Sequence, residues 1–474
     1  MEIERQAGMW SQEVFGGCEL GDKRRTRRLV ILGASLGMHV GSSPYTACRG
    51  DEAANEGAYR LLRNDAVEPE AIAEGGFQAS VRAAHGCAEV LAVEDTTTLS
   101  YAHEAAHDDL GDLGGPAGGH KRGFQVHSVL LVDAARERTL GLVEQQRWCR
   151  DGAQRGQRHR RAKRAYEAKE SFKWQRASEA LSTRMGEAMS RVVSVCDREA
   201  DVFEYLDYKL GRGERFVVRA AWNRRTSEAH QGLFDTLEAA PVLGSRRVQV
   251  VQRGGRRARE ACVELRACEV ELRAPKNRDT GKRVRLWGLM ALEREPPQGV
   301  EALRWVLLSS EAMGTEADAQ RLMRYYELRW RIEEFHKAWK SGGANVEKRR
   351  MHSADNLERM AVILAFVAVR VMQLREVLHE PSTPGAQAKE RRCDEVLEAV
   401  EWKVLWLSRE KKALPETPPS LRWAYESVAK LGGWIDTKRT GRAGWKALWE
   451  GWFILEQRVD GYHLAQQLNP QSKM

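Results

Sequence analysis

The stretch from residue 326 to residue 340 constrains this chain more than any other part of its sequence. It reads Tyr-Glu-Leu-Arg-Trp-Arg-Ile-Glu-Glu-Phe-His-Lys-Ala-Trp-Lys. On a helix, at roughly 100° per residue, four of its side chains share an arc about 60° wide: Tyr326, Arg329, Glu333 and Lys340. The pattern therefore predicts a helical face on which one carboxylate lies between an aromatic hydroxyl and cations.

Such a face suits a metal ion beside a phosphodiester, because the acid can hold the metal while the cations hold phosphate oxygens. Phosphoryl chemistry with two metal ions needs further acids. Asp95 and Asp197 are the candidates, since each ends an apolar run rich in β-branched residues. A single aspartate at a strand end is more often a turn or capping residue. The neighbouring acids remain alternatives: Glu199, Asp201 and Glu334.

The composition fits a folded protein of several domains with a polyanionic partner. The 474 residues are 42% hydrophobic and carry a formal net charge of +9. Arginines cluster at residues 24–28, 155–164 and 253–259, which favours nucleic acid, although any one cluster also fits a solvated loop. The eight cysteines show no close pairs of the kind that zinc sites or disulfide frameworks use.

No segment predicts export or membrane insertion. The first residues contain no apolar signal region, and the longest apolar stretch, residues 361–369, is far too short to span a bilayer. We therefore expect a cytoplasmic protein without a membrane partner.

The order of the apolar runs predicts an α/β fold. Strands are expected at residues 89–94, 125–132, 139–146, 193–196 and 215–220, with helices at 177–192 and from about 200. This βββαβαβ order is the ribonuclease-H-like arrangement, in which acids on the first strand, after the fourth strand and on a later helix converge.

Three domains are predicted. They are a basic helical domain at residues 1–70, a ribonuclease-H-like catalytic domain at 71–368 with a β-rich insertion at about 221–302, and a helical domain at 369–474. The last helix carries Trp445, Trp449 and Trp452 at the spacing i, i+4, i+7, which fits both an internal core and a partner interface.

Several motifs resemble those of the DDE transposases of bacterial cut-and-paste elements. The helical face at residues 326–340 matches the Tyr-Arg-Glu-Lys signature of the insertion-sequence-four-like members, the group that includes the transposase of transposon five. Further matching stretches are residues 57–60, 94–97, 196–201, 215–219 and 434–452, so the likeness runs nearly from end to end.

The resemblance implies a metal-dependent DNA transposase. Asp95, Asp197 and Glu333 would be catalytic and would hold two Mg²⁺ or Mn²⁺ ions per active site. Double-stranded DNA, as element ends and as target, would be the substrate of a homodimer. The reaction would proceed by nicking, hairpin formation, hairpin opening and strand transfer.

The resemblance also implies which residues contact DNA. Tyr326, Arg329 and Lys340 would hold phosphates beside the cut, with surface ion pairing as the alternative role. Arg219 would contact the hairpin strand. The residues that would recognise the element ends are Arg24, Arg25, Arg28 and Arg60.

Trp305 and Trp330 would handle the base that is extruded when the hairpin forms, with core packing as the alternative. Two other functions also fit parts of the sequence: a ribonuclease-H-like nuclease without strand transfer, and a catalytically silent DNA-binding regulator. The intact acids argue against the regulator, and the tryptophan pair and the N-terminal helices argue against the plain nuclease.

Overall fold

The computed structural model describes residues 2–48, 50–103, 108–113, 121–150, 164–227, 232–250, 258–275, 281–378, 392–395, 397–435, 437 and 443–468. Most of two arginine clusters, at residues 155–163 and 253–257, lies outside these ranges.

Within the described ranges, ten strands form one mixed sheet. They are β1 (Val90–Tyr101), β2 (Gly111–Asp112), β3 (Arg122–Asp133), β4 (Arg138–Trp148), β5 (Val192–Cys196), β6 (Arg215–Arg219), β7 (Val242–Val250), β8 (Arg259–Arg273), β9 (Arg283–Leu292) and β10 (Arg304–Ser309). The spatial order is β2-β3-β1-β5-β6-β10-β9-β8-β7, and β4 pairs with β3. The predicted α/β class is confirmed.

The described ranges also contain α-helices. They are α1 (Glu2–Phe15), α2 (Lys23–Met38), α3 (Pro44–Ala47), α4 (Glu52–Leu62), α5 (Pro69–Ala84), α6 (Lys173–Met185), α7 (Phe203–Gly211), α8 (Leu233–Ala239), α9 (Glu316–Leu328), α10 (Trp330–Lys337), α11 (Ala354–Leu378), α12 (Ala399–Glu410), α13 (Leu421–Leu431) and α14 (Trp445–Leu468).

The centre of the sheet is parallel and its end is antiparallel. β1, β5 and β6 are parallel neighbours, and every residue of β5 is buried, as expected for a strand covered on both faces. β10, β9, β8 and β7 continue the sheet as antiparallel pairs. The alternation of apolar and polar residues in the predicted insertion, at about residues 221–302, indicates strands. β7, β8 and β9 lie there.

β1 and α6 differ in length from the sequence expectation. β1 does not end at residue 94 but continues to Tyr101, because Thr96, Thr97 and Thr98 are β-branched and favour extended backbone. The helix expected at 177–192 begins at Lys173 and stops at Met185. It stops there because Gly186 has a φ of +53°, a backbone conformation that glycine adopts readily and that an α-helix cannot continue through.

The chain divides into two compact units. One unit comprises Met1–Ala79, Thr98–Phe124 and Glu334–Met474, and the other comprises Ser80–Thr97 and Gln125–Glu333. The domain boundaries expected from the sequence remain a prediction.

The first unit has α11 in its core. Phe366 of this helix lies edge-on to Phe15, with ring centroids 5.7 Å apart, and also contacts Phe77. Nearer the C-terminus, Trp452 packs against a buried apolar cluster that includes Trp402 and Leu455. An internal role therefore accounts for at least this tryptophan of the α14 stripe. No described helix has both the length and the apolar character that crossing a bilayer requires.

Candidate active site

Two parallel strands bring the two candidate aspartates to the same edge of the sheet. β1 and β5 pair over residues 90–93 and 192–195. Asp95 and Asp197 each lie two residues beyond the end of this pairing. Because parallel strands end at the same edge of a sheet, two acids that are far apart in sequence become neighbours.

Asp95 and Glu333 form a pair of like charges. Each offers a carboxylate oxygen to a group of candidate ligand atoms that lie within 4.8 Å of one another. Burial raises the pKa of Asp95, and the charge of Glu333 raises it further against the opposing charge of Arg329, so that it reaches about 7. Carboxylates this close repel unless a proton or another cation intervenes. The pair therefore favours the binding of a cation.

Asp197 has a capping role as well as a place near the pair. It precedes the 3₁₀ turn Arg198–Ala200, and its Oδ1 accepts a hydrogen bond from the Glu199 N–H at 2.8 Å. Burial raises its pKa, and its charge also raises the pKa of Asp95. Among the described residues, Asp197 is not in the 4.8 Å group. The structure thus brings two of the three predicted acids within reach of one ion and places the third nearby.

Arg329 is the cation of this acid site. Its Nη2 lies 3.4 Å from Glu333 Oε1, and its Nη1 lies 4.0 Å from Asp95 Oδ2. Its guanidinium also faces the rings of Tyr326 and Trp330, each with a centroid 5.8 Å from Cζ. Nε and Nη1 are buried without a hydrogen-bond acceptor in the described part of the chain. Buried donors without acceptors are uncommon, so these groups are suited to a ligand that supplies oxygen atoms.

The signature stretch is not one continuous α-helix, contrary to the sequence expectation. α9 ends at Leu328 and α10 begins at Trp330, with Arg329 at the junction, where its N–H bonds to Tyr326 O, three residues back. This tighter i−3 bond interrupts the α pattern. Residues Ala338–Gly342 then form a π-helical turn, a feature that is frequent at functional sites.

Lys340 lies on this π-helical turn and binds the end of β1. Its Nζ donates to Thr98 O at 2.7 Å and lies 3.4 Å from Glu347 Oε1. Glu347 in turn accepts from the Ser100 N–H at 2.9 Å. These bonds give Lys340 a structural role besides the predicted phosphate contact.

The remaining residues predicted near the cut differ in exposure. Trp330 is 56% exposed, as a residue that stacks on a base must be. Trp305 is half-buried on β10 opposite Ala291. Arg219 ends β6, and its Cζ lies 5.9 Å from the ring centroid of Tyr326.

The four N-terminal arginines have unlike surroundings. Arg24 and Arg60 are exposed, whereas Arg28 is half-buried. Arg25 is half-buried too, and its Nη1 donates to Leu20 O at 2.9 Å. The first two are therefore the more accessible to DNA, and Arg25 stabilises its own helical region.

Comparison with protein families agrees with this geometry. A family model described as transposase DNA-binding matches residues 7–67. A second, described as transposase DDE domain, matches residues 124–370, which is more than half of the chain. The chain belongs to the DDE transposase family. It is thus a DNA-binding enzyme that acts on DNA. The DDE match contains Asp197 and Glu333, and Asp95 precedes it.

The transposase also contains a buried network that sequence reasoning missed. His127 on β3 is fully buried, with Nε2 3.3 Å from Glu94 Oε2 and Nδ1 3.0 Å from Thr96 Oγ1. Glu94 and Thr96 flank Asp95, so one imidazole binds both neighbours of the acid. Trp174 packs edge-on against it, with ring centroids 4.5 Å apart. The position of Glu94 inside an apolar run indicates a buried acid that needs a partner. The sequence does not show that this partner lies on β3.

Two further residues near the acids were also missed. Lys173 is buried and donates from Nζ to Glu199 Oε2 at 2.9 Å, and its charge opposes in part the rise that burial causes in the pKa of Asp197. His336 is buried three residues after Glu333 on α10, hence on the same helical face. The i, i+3 spacing was visible in the sequence, but the expectation of an all-carboxylate site passed over it.

The acids of the transposase fit a divalent cation. Carboxylate oxygens are the ligands that Mg²⁺ and Mn²⁺ prefer. The observation that supports the fit is the raised pKa of Asp95, which reports burial and repulsion from Glu333. A bound cation would relieve the part of this cost that comes from the like charge.

Proposed function

We propose that this protein is a cut-and-paste DNA transposase of the insertion-sequence-four-like group with a ribonuclease-H-like catalytic core. The observation that carries the proposal is the pairing of Asp95 with Glu333 beside Arg329, whose Nε and Nη1 lack acceptors among the described residues. Acids that can bind a cation and a guanidinium that can bind phosphate are the two parts that phosphodiester chemistry requires.

Asp95, Asp197 and Glu333 would hold two Mg²⁺ or Mn²⁺ ions. Bound there, the ions would supply an activated nucleophile and charge stabilisation at the leaving oxygen. His127 binds the side chains of the two residues that flank Asp95, and so would help to hold this part of β1 in place. The Asp197 carboxylate is held directly, by the hydrogen bond that it accepts from the Glu199 N–H.

The cations and aromatic residues would position the DNA. Arg329 and Arg219, whose guanidinium groups both lie near the Tyr326 ring, would donate to phosphate oxygens, and Lys340 would add a further contact. Such contacts fix the register of the DNA without reading its sequence. Trp330, with Trp305, would stack on an extruded base, an interaction worth about 1–3 kcal/mol per base.

This arrangement suits a sequence of in-line displacements at phosphorus that differ only in their nucleophile. Water cuts one strand and leaves a 3′-hydroxyl. That hydroxyl attacks the opposite strand, which closes a hairpin and releases the flanking DNA. Water then reopens the hairpin, and the 3′ ends attack the target. One set of acids can serve all four steps because each breaks one P–O bond and forms another.

Residues 1–70 would bind the element ends, with Arg24, Arg25, Arg28 and Arg60 as contacts. Residues 71–368 would form the catalytic domain, and residues 369–474 would join two copies in the DNA complex. The family match at residues 7–67 supports the first of these assignments.

Incubation of the protein with labelled DNA from either side of its own gene, with and without Mg²⁺, tests the proposal. A nick followed by a hairpin on a denaturing gel is expected, and Asp95→Ala should abolish both while still shifting the DNA in a native gel. Nicks without hairpin or joined product would indicate a plain nuclease. Binding without any cleavage by the unaltered protein would indicate a regulator, and equal loss of binding and cleavage in Asp95→Ala would make Asp95 structural.

A further inference from the structure

The loop of residues 220–224 leaves the sheet at the same edge as the catalytic aspartates. β5 and β6 are parallel neighbours, and Asp197 follows the first as the loop follows the second. The carboxyl ends of parallel strands form the usual ligand-binding edge of a sheet. Arg219, the last residue of β6, has its guanidinium over the ring of Tyr326. The loop therefore begins beside the signature residues.

Asp201 holds this loop in place. Its buried Oδ2 accepts hydrogen bonds from the Ala221 and Trp222 N–H groups at 2.7 and 3.1 Å, and its Oδ1 accepts from Arg224 Nε at 2.7 Å. Asp201 ends the same 3₁₀ turn that Asp197 begins. Charge-assisted bonds of this kind are short and strong. The backbone of Trp222 is thereby fixed relative to the turn of a catalytic acid.

The side chain of Trp222 is nevertheless 65% exposed. Tryptophan is highly buried on average, because the indole carries a large apolar surface. An exposed indole on an anchored backbone, close to an arginine, is the combination by which proteins stack on unpaired bases while a cation holds the backbone. The exposed ring, its fixed backbone and its place at the carboxyl edge all favour the same ligand.

We propose that Trp222 stacks on an unpaired nucleobase next to the cleaved DNA end, and that Asp201 is its positioning residue. The inference rests on the proposed DNA-cleaving function and adds a third base-stacking residue to Trp305 and Trp330. Stacking uses the face of a base, which a paired duplex hides. Trp222 therefore favours a nicked end with an unpaired base over an intact duplex.

The test measures binding to nicked end fragments that carry 2-aminopurine, a fluorescent base, at successive positions beside the nick. With Ca²⁺ in place of Mg²⁺, the unaltered protein is expected to quench the fluorescence at one or two positions. Trp222→Ala should abolish this quenching and weaken binding of the nicked end about tenfold, the size expected for loss of one stacked base. Trp222→Phe should retain most of both effects, whereas Trp222→Leu, equally apolar but without a π face, should not.

Asp201→Asn tests the positioning role. It should lower the quenching as Trp222→Ala does, and the double variant should lose nothing further, because both changes remove the same contact. If Asp201→Asn does not fold, Arg224→Met, which should loosen the same loop, takes the place of Asp201→Asn in this comparison.

Unchanged quenching and affinity in Trp222→Ala, in a protein that still nicks its ends, would overturn the inference and leave the proposed function intact. Equal weakening of binding to nicked and to fully paired DNA in Trp222→Ala would also overturn the inference. If the unaltered protein bound no element end at all, the proposed function itself would be refuted.

Discussion

Glu94 and Asp95 are neighbours on β1, yet their side chains meet opposite surroundings. Glu94 is fully buried and lies 3.3 Å from an imidazole nitrogen of His127, a partner that can donate to it. Asp95 faces Glu333, another acid, and Arg329 moderates the repulsion only in part. Alternation along a strand separates the two faces.

The difference between these faces distinguishes scaffold from function. A buried acid with a matched partner contributes to a specific fold, whereas like charges held together oppose folding and persist where a ligand needs them. We therefore expect that apolar groups of matched size can replace the Glu94–His127 pair without loss of the fold, and that a change at Asp95 or Glu333 lowers the rate of the chemistry.

The largest expected effect is on the rate of DNA cleavage, at the pair of Asp95 and Glu333. Glu333→Gln keeps the size of the side chain but removes its charge, and so should lower the cleavage rate by about a thousandfold or more. Binding of DNA ends should remain within about twofold, since the phosphate contacts are retained. Rates of nicking and gel-shift affinities measure the two quantities.

Glu334→Gln is the matched control for that variant. Glu334 lies next in sequence but pairs with Arg375 at 3.4 Å, and its substitution should leave nicking nearly unchanged. Loss of nicking in Glu334→Gln with retention in Glu333→Gln would reverse the assignment of the metal-binding acid.

The next largest effect is expected on the stability of the protein, at the buried pair of Glu94 and His127. His127→Phe keeps an aromatic ring against Trp174 but leaves Glu94 buried without a donor, which should lower the free energy of unfolding by about 3–5 kcal/mol. Chemical denaturation followed by circular dichroism measures the loss.

The double variant Glu94→Met, His127→Phe sharpens this result. It replaces the polar pair by apolar groups of similar size, and most of the lost stability should return. If the double variant were no more stable than His127→Phe, the Glu94–His127 pair would contribute more to stability than the hydrogen bonding between its two members.

Much of the scaffold could be predicted from the sequence, because apolar periodicity and turn residues are local properties. The strands of the insertion, β5 and the N-terminal helices follow from such patterns. The convergence of Asp95 with Glu333 followed from the strand order and the family motifs, but the charge balance of each acid did not. His127 is 33 residues from Glu94 in sequence, and only the pairing of β1 with β3 reveals that they meet. The break at Arg329 was not predicted either, since helical spacing alone does not show where a helix is interrupted.

A smaller effect should appear in the pH dependence of the metal-free protein. The pKa of Asp95 is raised from 3.8 to about 7, so the folded state binds more protons than the unfolded state between these values. Stability should therefore fall as the pH rises through this window, by about 2–4 kcal/mol in total. Asp95→Asn should be the more stable protein at pH 8, and nearly equal to the unaltered one below pH 4.

Addition of Mg²⁺ or Mn²⁺ should reverse that order. At pH 8 the ion should raise the melting temperature of the unaltered protein, because binding to the folded state alone stabilises it, and it should affect Asp95→Asn much less. Thermal melts with EDTA or with excess ion make the comparison without any activity assay. An equal response in both proteins would place the ion elsewhere.

The same contrast between neighbours recurs, with the smallest expected effect, at Arg24 and Arg25. Arg25 donates from Nη1 to Leu20 O at 2.9 Å and to Ala66 O at 3.3 Å, whereas the side chain of Arg24 is 84% exposed. Arg25→Ala should therefore cost about 1 kcal/mol of stability. Arg24→Ala should leave stability nearly unchanged but reduce by about one the slope of the logarithm of DNA affinity against that of salt concentration. Because the two residues adjoin on α2, each variant is the control for the other, and an effect of Arg24→Ala on stability alone would place its role inside the protein.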